Sequence, residues 1–341
     1  MSEKTGTGRV DTVRLQTVMK GFWESAALMS AVELGLFTAI SNGNDTVATA
    51  AQAIDIAPLN AERLMTALTA MTLLERDGDR FRNAPDVERF LVKGKPTYAG
   101  PWMLFTKPRW EGWGRLTELL RQPEDEQQVL GMYDAQFTVE TARRYHEATY
   151  SVGMGAARRF HRQVDLSGRR RIMDIGGGSG CYCIVAAQTY PEIRAVVLDL
   201  PPVVEVTRDF IAQNGVQDRV EAQPCDFTKD PFPSDCDVAI MASNLPQYSR
   251  EIVAGVVRKI HDALLPGGEF HLIGEMLDDD RKGPLAPALW GLSEAVNGST
   301  GLAHTEGECV GYLKAAGFES VTASEFIPQT LTRVCGMKKA G

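Results

Sequence analysis

Ile172-Met173-Asp174-Ile175-Gly176-Gly177-Gly178-Ser179-Gly180 is a short apolar run that ends in a glycine-rich turn and opens a helix-forming stretch. Glycines at such a turn permit positive φ and let a ligand approach the backbone. A dinucleotide-binding loop requires Gly-x-Gly-x-x-Gly, with pyrophosphate on the helix N-terminus. Its third glycine would fall at Cys181 and is absent. The pattern present is Gly176-x-Gly178-x-Gly180, with Asp174 just before it. An acid there repels pyrophosphate and suits the ammonium of an aminocarboxypropyl group.

Outward from this loop, short apolar strands alternate with helical stretches. RIMDI, AVVLDL, RVEAQP, DVAIMAS and EFHLIGE are five strand candidates from Arg171 onward. Such alternation predicts a parallel sheet covered by helices on both faces. FESVTASEF and TRVCGMKK, after Gly317, read as an antiparallel edge pair. The second strand ends at Asp199, where a carboxylate can accept both hydroxyls of a ribose. The third leads to Asp226 and Phe227, an acceptor for an adenine amino group and a ring to stack on it. Leu200 and Ser243, which follow the second and fourth strands, complete the set. Any one aspartate at a strand end is more often a turn or cap. Three in this order, with the loop, match S-adenosylmethionine (SAM) part by part.

Before Arg171 the chain is mostly helical. GFWESAALMSAVELGLFTAI places Phe22, Ala26, Leu28, Met29, Val32, Leu34, Leu36 and Phe37 on one broad apolar face. NAERLMTALTAMTLLER does the same with Leu64, Leu68, Met71, Leu73 and Leu74, and Asp77-Gly78 then marks a tight turn. Helices followed by a small hairpin describe a winged-helix unit. Its recognition-helix candidate is poor in Lys and Arg, so an apolar packing or dimer surface fits better than DNA binding. The segment at 93–102 is rich in Gly and Pro, and 109–122 and 139–162 read as connecting helices. The expected architecture is an N-terminal winged-helix-like, all-helical dimerisation domain (10–100), interdomain helices (101–170), and a Rossmann-like α/β class I methyltransferase domain (171–341).

At 341 residues the chain can hold two cores. A net charge of −8 argues against a nucleic-acid partner, which requires clustered Lys and Arg. The N-terminus lacks a signal-type apolar core and no apolar run is long enough to span a membrane, so no membrane partner and a cytoplasmic location are expected. Among six cysteines only Cys181 and Cys183 are close, and the five histidines are scattered, so no metal is expected.

The chain resembles the small-molecule O-methyltransferases, which include catechol-type plant enzymes, bacterial polyketide tailoring enzymes and hydroxyindole methyltransferases. The resemblance covers nearly the whole chain. It rests on Ala31-Val32-Glu33-Leu34-Gly35-Leu36-Phe37, Trp113-Gly114-Arg115-Leu116, the MDIGGGSG loop, the acid of LDLP, ALLPGG at 263–268 and LKAAGF at 313–318. It implies a homodimer through the helical domain, SAM as cofactor, and a small-molecule substrate between the domains.

The pattern breaks at the catalytic pair. Where O-methylating members carry a general-base His, this sequence has Leu245-Pro246-Gln247-Tyr248; where they carry the Glu that orients it, Ala303 stands. His304, one position along, is an alternative base, and loss of methyl transfer is another reading. A third is an acceptor with no proton to remove. A phenol of pKa near 10 profits from a base by roughly a hundred- to ten-thousand-fold, whereas a thioether sulfur already offers a lone pair. That logic points to a thioether substrate; with the base-free LPQYS segment and HTEGECVGYLKAAGF at 304–318, the chain also resembles a branch of the family, which implies methylation of 4-methylthio-2-hydroxybutyrate in dimethylsulfoniopropionate biosynthesis. Tyr145, Tyr150, Tyr248 and Trp290 are then candidate aromatic walls for an emerging sulfonium. Gln247 joins the substrate set, and Arg143, Arg144, Asn297 and His304 are candidate carboxylate partners. O- or C-methylation is the alternative within the class; a NAD-dependent oxidoreductase and a DNA-binding regulator are the rivals outside it.

Overall fold

The computed structural model describes residues 10–123 and 137–341, which divide into two units meeting at Lys107 and Pro108. The first carries helices α1 (Val13–Leu34), α2 (Leu36–Ser41), α3 (Val47–Ala53) and α4 (Pro58–Ala70), the hairpin β1 (Leu74–Asp77) and β2 (Arg80–Asn83), then α5 (Pro85–Phe90) and α6 (Gly100–Met103). The stretch read as one broad apolar helical face is divided between α1 and α2. Gly35, at φ 76°, ends α1 by returning its N–H to the carbonyls of Ala31 and Val32, a left-handed cap that glycine adopts without a Cβ penalty.

The first half of α1 does not turn its apolar residues inward. Val13, Leu15, Val18, Met19, Phe22 and Trp23 are each more than half exposed, while Met29, Ala31 and Val32 join Phe37, Met65, Leu68 and Leu74 in the core. The second apolar segment is also cut short. Helix α4 ends at Ala70, Thr72 turns the chain at φ 60°, and Leu74 opens a strand instead of a further helical turn. Asp77 pairs with Arg80, leaving Gly78 and Asp79 as the two-residue turn. Helices α3 and α4 with this hairpin form the winged-helix-like unit.

The second unit begins with the short helices α7 (Trp110–Gly114) and α8 (Leu116–Leu119) and the long α9 (Val139–Gln163). There follow β3 (Arg171–Ile175), α10 (Cys181–Thr189), β4 (Arg194–Asp199), α11 (Pro201–Gln213), β5 (Val220–Pro224), β6 (Val238–Ala242), α12 (Arg250–Ala263) and β7 (Glu269–Gly274). Its last elements are β8 (Met276–Leu277), α13 (Leu285–Asn297), β9 (His304–Thr305), α14 (Glu306–Ala316), β10 (Glu319–Ile327) and β11 (Leu331–Met337). The main sheet has the order β10-β11-β7-β6-β3-β4-β5. Strands β7, β6, β3, β4 and β5 are parallel neighbours, and β11 runs antiparallel to both β7 and β10.

This is the Rossmann-like class I methyltransferase fold. Strands β3, β4, β6 and β7 are buried along most of their length because both faces are covered, whereas the edge strand β5 alternates buried and exposed residues. One face packs Phe160, Ile184 and Val203, from α9, α10 and α11; the other packs Val253, Val256 and Leu313, from α12 and α14. The chain leaves β3 for β4 on one side and later returns to β6 on the other. Strand order therefore reverses at the carboxyl end of β3, where open α/β sheets form their ligand crevice.

Candidate active site

The loop after β3 is held from below and from both sides. Gly176, Gly178 and Gly180 have φ of 63°, 56° and 74°, so each is in the region that favours glycine. Gly176 also lacks room for a side chain: a Cβ there would lie 2.8 Å from Asn244 Nδ2 and 3.0 Å from Phe227 Cε1. Asn244 donates to the carbonyls of Ile175, Gly176 and Ala242, at 3.2, 3.3 and 3.1 Å, tying the ends of β3 and β6 together. On the far side, Thr207 of α11 donates to Gly178 O at 2.6 Å.

Asp199 closes the loop against β4. Its two oxygens accept the N–H groups of Gly178 and Leu200, each at 2.8 Å. Burial pushes its pKa up to about 6 in spite of these donors. Asp174 lies directly under the loop, where a Cβ on Gly177 would come within 2.5 Å of its Cγ. It is almost wholly buried, its Oδ1 has no hydrogen-bond partner, and Oδ2 receives only a long 3.8 Å contact from Cys183 Sγ. Burial and the Asp199 charge push its pKa up to about 7. Asp174 thus lies beneath the loop, shielded from solvent, with one oxygen unpartnered.

Asp226 sits at the end of β5 as a turn residue. Its Oδ1 accepts from the Thr228 backbone and hydroxyl at 3.0 and 2.6 Å, and Lys229 lies 2.9 Å from Oδ2. Burial opposes its ionisation, and Lys229 and Thr228 outweigh that opposition. Phe227 is buried beside Gly176, with Tyr248 packed edge-on at 5.1 Å. Ser243, exposed at the end of β6, adopts φ 61°, a left-handed conformation uncommon outside glycine.

The segments of the missing catalytic pair do meet. Pro246 is buried in one 3-10 turn, Leu245–Gln247, and Gly301 lies flat on the Pro246 and Gln247 backbone with no space for a Cβ. Ala303 packs on Gly291. His304 is fully buried: Nε2 contacts the Tyr248 carbonyl at 3.0 Å and Nδ1 the Tyr312 hydroxyl at 3.0 Å. Since a carbonyl only accepts, Nε2 carries the proton and Nδ1 takes the hydroxyl of Tyr312. Burial lowers the imidazole's pKa. Both nitrogens are engaged in holding β9 against the 245–248 turn.

The remaining candidates divide. Tyr145 and Trp290 are half-buried. Gln247 keeps a buried Oε1 without a partner, and Asn297 donates to Glu294 at 3.1 Å. Tyr150 instead stacks on Phe210 at 4.4 Å and accepts from Asn214 at 2.7 Å, and Arg143 pairs with Asp209 at 2.6 Å. Both take part in the packing of α9 on α11. Arg144 is exposed. Sequence reasoning missed Asn244, Thr207 and Glu294. Glu294 is a buried carboxylate whose pKa burial raises; no motif signals these residues, because their roles come from what lies opposite them in space. Among the described residues no cluster of His, Cys, Asp and Glu could hold a metal, and no helix is long and apolar enough to cross a membrane.

Residues 113–319 match the O-methyltransferase domain family and residues 16–93 the O-methyltransferase dimerisation domain. The chain belongs to the O-methyltransferase family. It is a SAM-dependent methyltransferase. Over 321 residues this methyltransferase is 33% identical to 3-hydroxy-5-methyl-1-naphthoate 3-O-methyltransferase of Streptomyces sahachiroi, covering 92% of this chain and 91% of that one. It is 31% identical to an N,N-dimethyltransferase of Streptomyces rimosus, covering 75% and 76%. Its fold matches human N-acetylserotonin methyltransferase in complex with SAM at a TM-score of 0.82, 24% identity, and 98% and 100% coverage. The names of these curated relatives place the methyl group on oxygen or nitrogen, and a further one on carbon. The expectation of a thioether acid and dimethylsulfoniopropionate synthesis is overturned by these relatives.

Proposed function

We propose that this methyltransferase transfers the SAM methyl group to an oxygen of an aromatic small molecule. The observation that carries the reading is the near full-length 33% identity to the naphthoate O-methyltransferase. The local residues suit a cationic, ribose-bearing cofactor: two acids flank the glycine loop, and a buried phenylalanine lies beside it. Gly176, Gly178 and Gly180 form the cradle. Asp199 takes the ribose hydroxyls on the lone pairs left by Gly178 and Leu200, and Asp226, Phe227 and Ser243 border the adenine. Asp174 supplies negative charge toward the ammonium end. When bound, SAM provides an electrophilic methyl group on a sulfonium. Tyr145, Gln247, Tyr248, Trp290 and Asn297 are the proposed substrate set.

Pro246 and Ala303 leave the family's base positions without a proton acceptor. The acceptor must then be nucleophilic by itself, as an acidified phenol is near neutrality. A nitrogen lone pair meets the same requirement, and the N,N-dimethyltransferase relative makes it the second reading. A homodimer through residues 16–93 goes with either.

The test is S-adenosylhomocysteine release over a series of hydroxylated aromatic acids of graded phenol pKa, with arylamines and thioethers alongside. Turnover should follow each phenol's own ionisation, with the kcat midpoint shifting from one substrate to the next. Turnover of thioethers alone, or one fixed midpoint for every phenol, would sink the proposal.

A further inference from the structure

Of the six cysteines, five are buried; Cys335 on β11 is half-exposed. The sheet sets it between two polar neighbours. Register pairs Cys335 with His271 of β7 on one side and Thr322 of β10 on the other, and the Thr322 hydroxyl lies 3.2 Å from Cys335 Sγ. His271 is nearly fully buried, under the ring of Phe160 at 5.0 Å. Neither of its ring nitrogens makes a well-formed hydrogen bond. Glu269, two residues earlier on the same strand and so on the same face, brings Oε2 to 3.4 Å from His271 Nε2. Arg169 fixes that carboxylate with a 2.9 Å bond to Oε1. Sulfur, imidazole and carboxylate thus form a row across two strands, away from the glycine loop.

We propose that Cys335, with His271 and Glu269 behind it, is a reactive thiol that takes up small disulfides. The thiol proton moves to His271, whose charge Glu269 balances. The Cys335 sulfur attacks one sulfur of the disulfide, that S–S bond breaks, and the other half leaves as a thiolate. A mixed disulfide on Cys335 replaces the small disulfide and one thiolate is released, with no net oxidation. The charged surroundings agree. Contact with His271 outdoes burial in lowering the Cys335 thiol's pKa, and Arg333 adds to the effect. Burial opposes a charge on His271, and Cys335 and Glu269 outweigh it. The neighbouring His161 is lowered by burial and in part by His271, so it does not compete for the proton. Since the other cysteines are buried, the adduct persists until an external thiol reverses it.

The experiment treats the native full-length protein with an aryl disulfide that releases a coloured thiolate, and maps the adduct by peptide mass spectrometry. One fast equivalent should appear, on Cys335, with a pH–rate midpoint below the ordinary thiol value of about 8.5. C335S should remove it. His271→Gln should slow it about tenfold at neutral pH, as a thiolate fraction reduced by one pKa unit requires, with the two rates converging at high pH. A wild-type midpoint at or above 8.5, a fast equivalent on another cysteine, or an unchanged rate in folded His271→Gln protein overturns the proposal. The wild-type profile decides the matter even if that variant does not fold.

Discussion

Asp174 and Asp199 show how far single residues could be read from the sequence. Their places at the ends of β3 and β4 followed from strand order, but their states depend on what surrounds them. With pKa values of about 7 and about 6, raised by burial and, for Asp174, by its neighbour's charge, both bind protons in the cofactor-free protein at mildly acidic pH. The sign follows directly. A cofactor carrying an ammonium and a sulfonium favours the ionised carboxylates, so SAM affinity should be weak near pH 5, rise through pH 6–7 and level off above. Calorimetric dissociation constants across that range provide the check, and a flat profile would contradict it. The same shifts make the two groups favour the folded state below about pH 3.9, the unfolded reference, and lose that contribution as pH climbs through 6–7. His304 and Tyr150 could not be placed from sequence, because only the fold sets Tyr312 and Phe210 against them.

At the scale of elements, the five parallel strands matched their sequence segments closely; for β3, β4, β6 and β7 an apolar run bounded by turns leaves little freedom. Helix α4 did not, because its apolar spacing continues unbroken past the point where Thr72 turns the chain. The two-residue pair β8–β9 has no periodicity to read. Two glycine substitutions separate tight elements from open ones. Gly177→Ala would put a Cβ 2.5 Å from Asp174 Cγ and 2.8 Å from Val197 Cγ1, and overpacking of that kind costs about 1–3 kcal/mol. Gly255, within α12, has nothing within 4 Å of its notional Cβ; alanine there should stabilise by roughly 0.5–1 kcal/mol through helix propensity. Denaturant unfolding of both variants should give opposite signs, and a shared sign would show that the loop, the helix, or both are packed differently from this description.

For the whole molecule, family and fold class were legible because the loop, strand ends and turns agree along nearly all of the chain. The acceptor was not. A missing base says what the substrate does not need, and several chemistries share that property. The first half of α1 leaves Val13, Leu15, Val18, Met19, Phe22 and Trp23 in the open. If a second copy covers them, heat resistance becomes a matter of mass action, since whatever binds only the folded state stabilises it in proportion to its logarithmic excess. The melting temperature should then rise with protein concentration, and Phe22→Asp combined with Trp23→Asp should abolish that dependence while lowering the molar mass seen in sedimentation. A melting temperature indifferent to dilution would place the stripe outside the assembly contact. On this view the enzyme's endurance depends on its abundance: a cell making little of it would hold a more fragile protein than one making much.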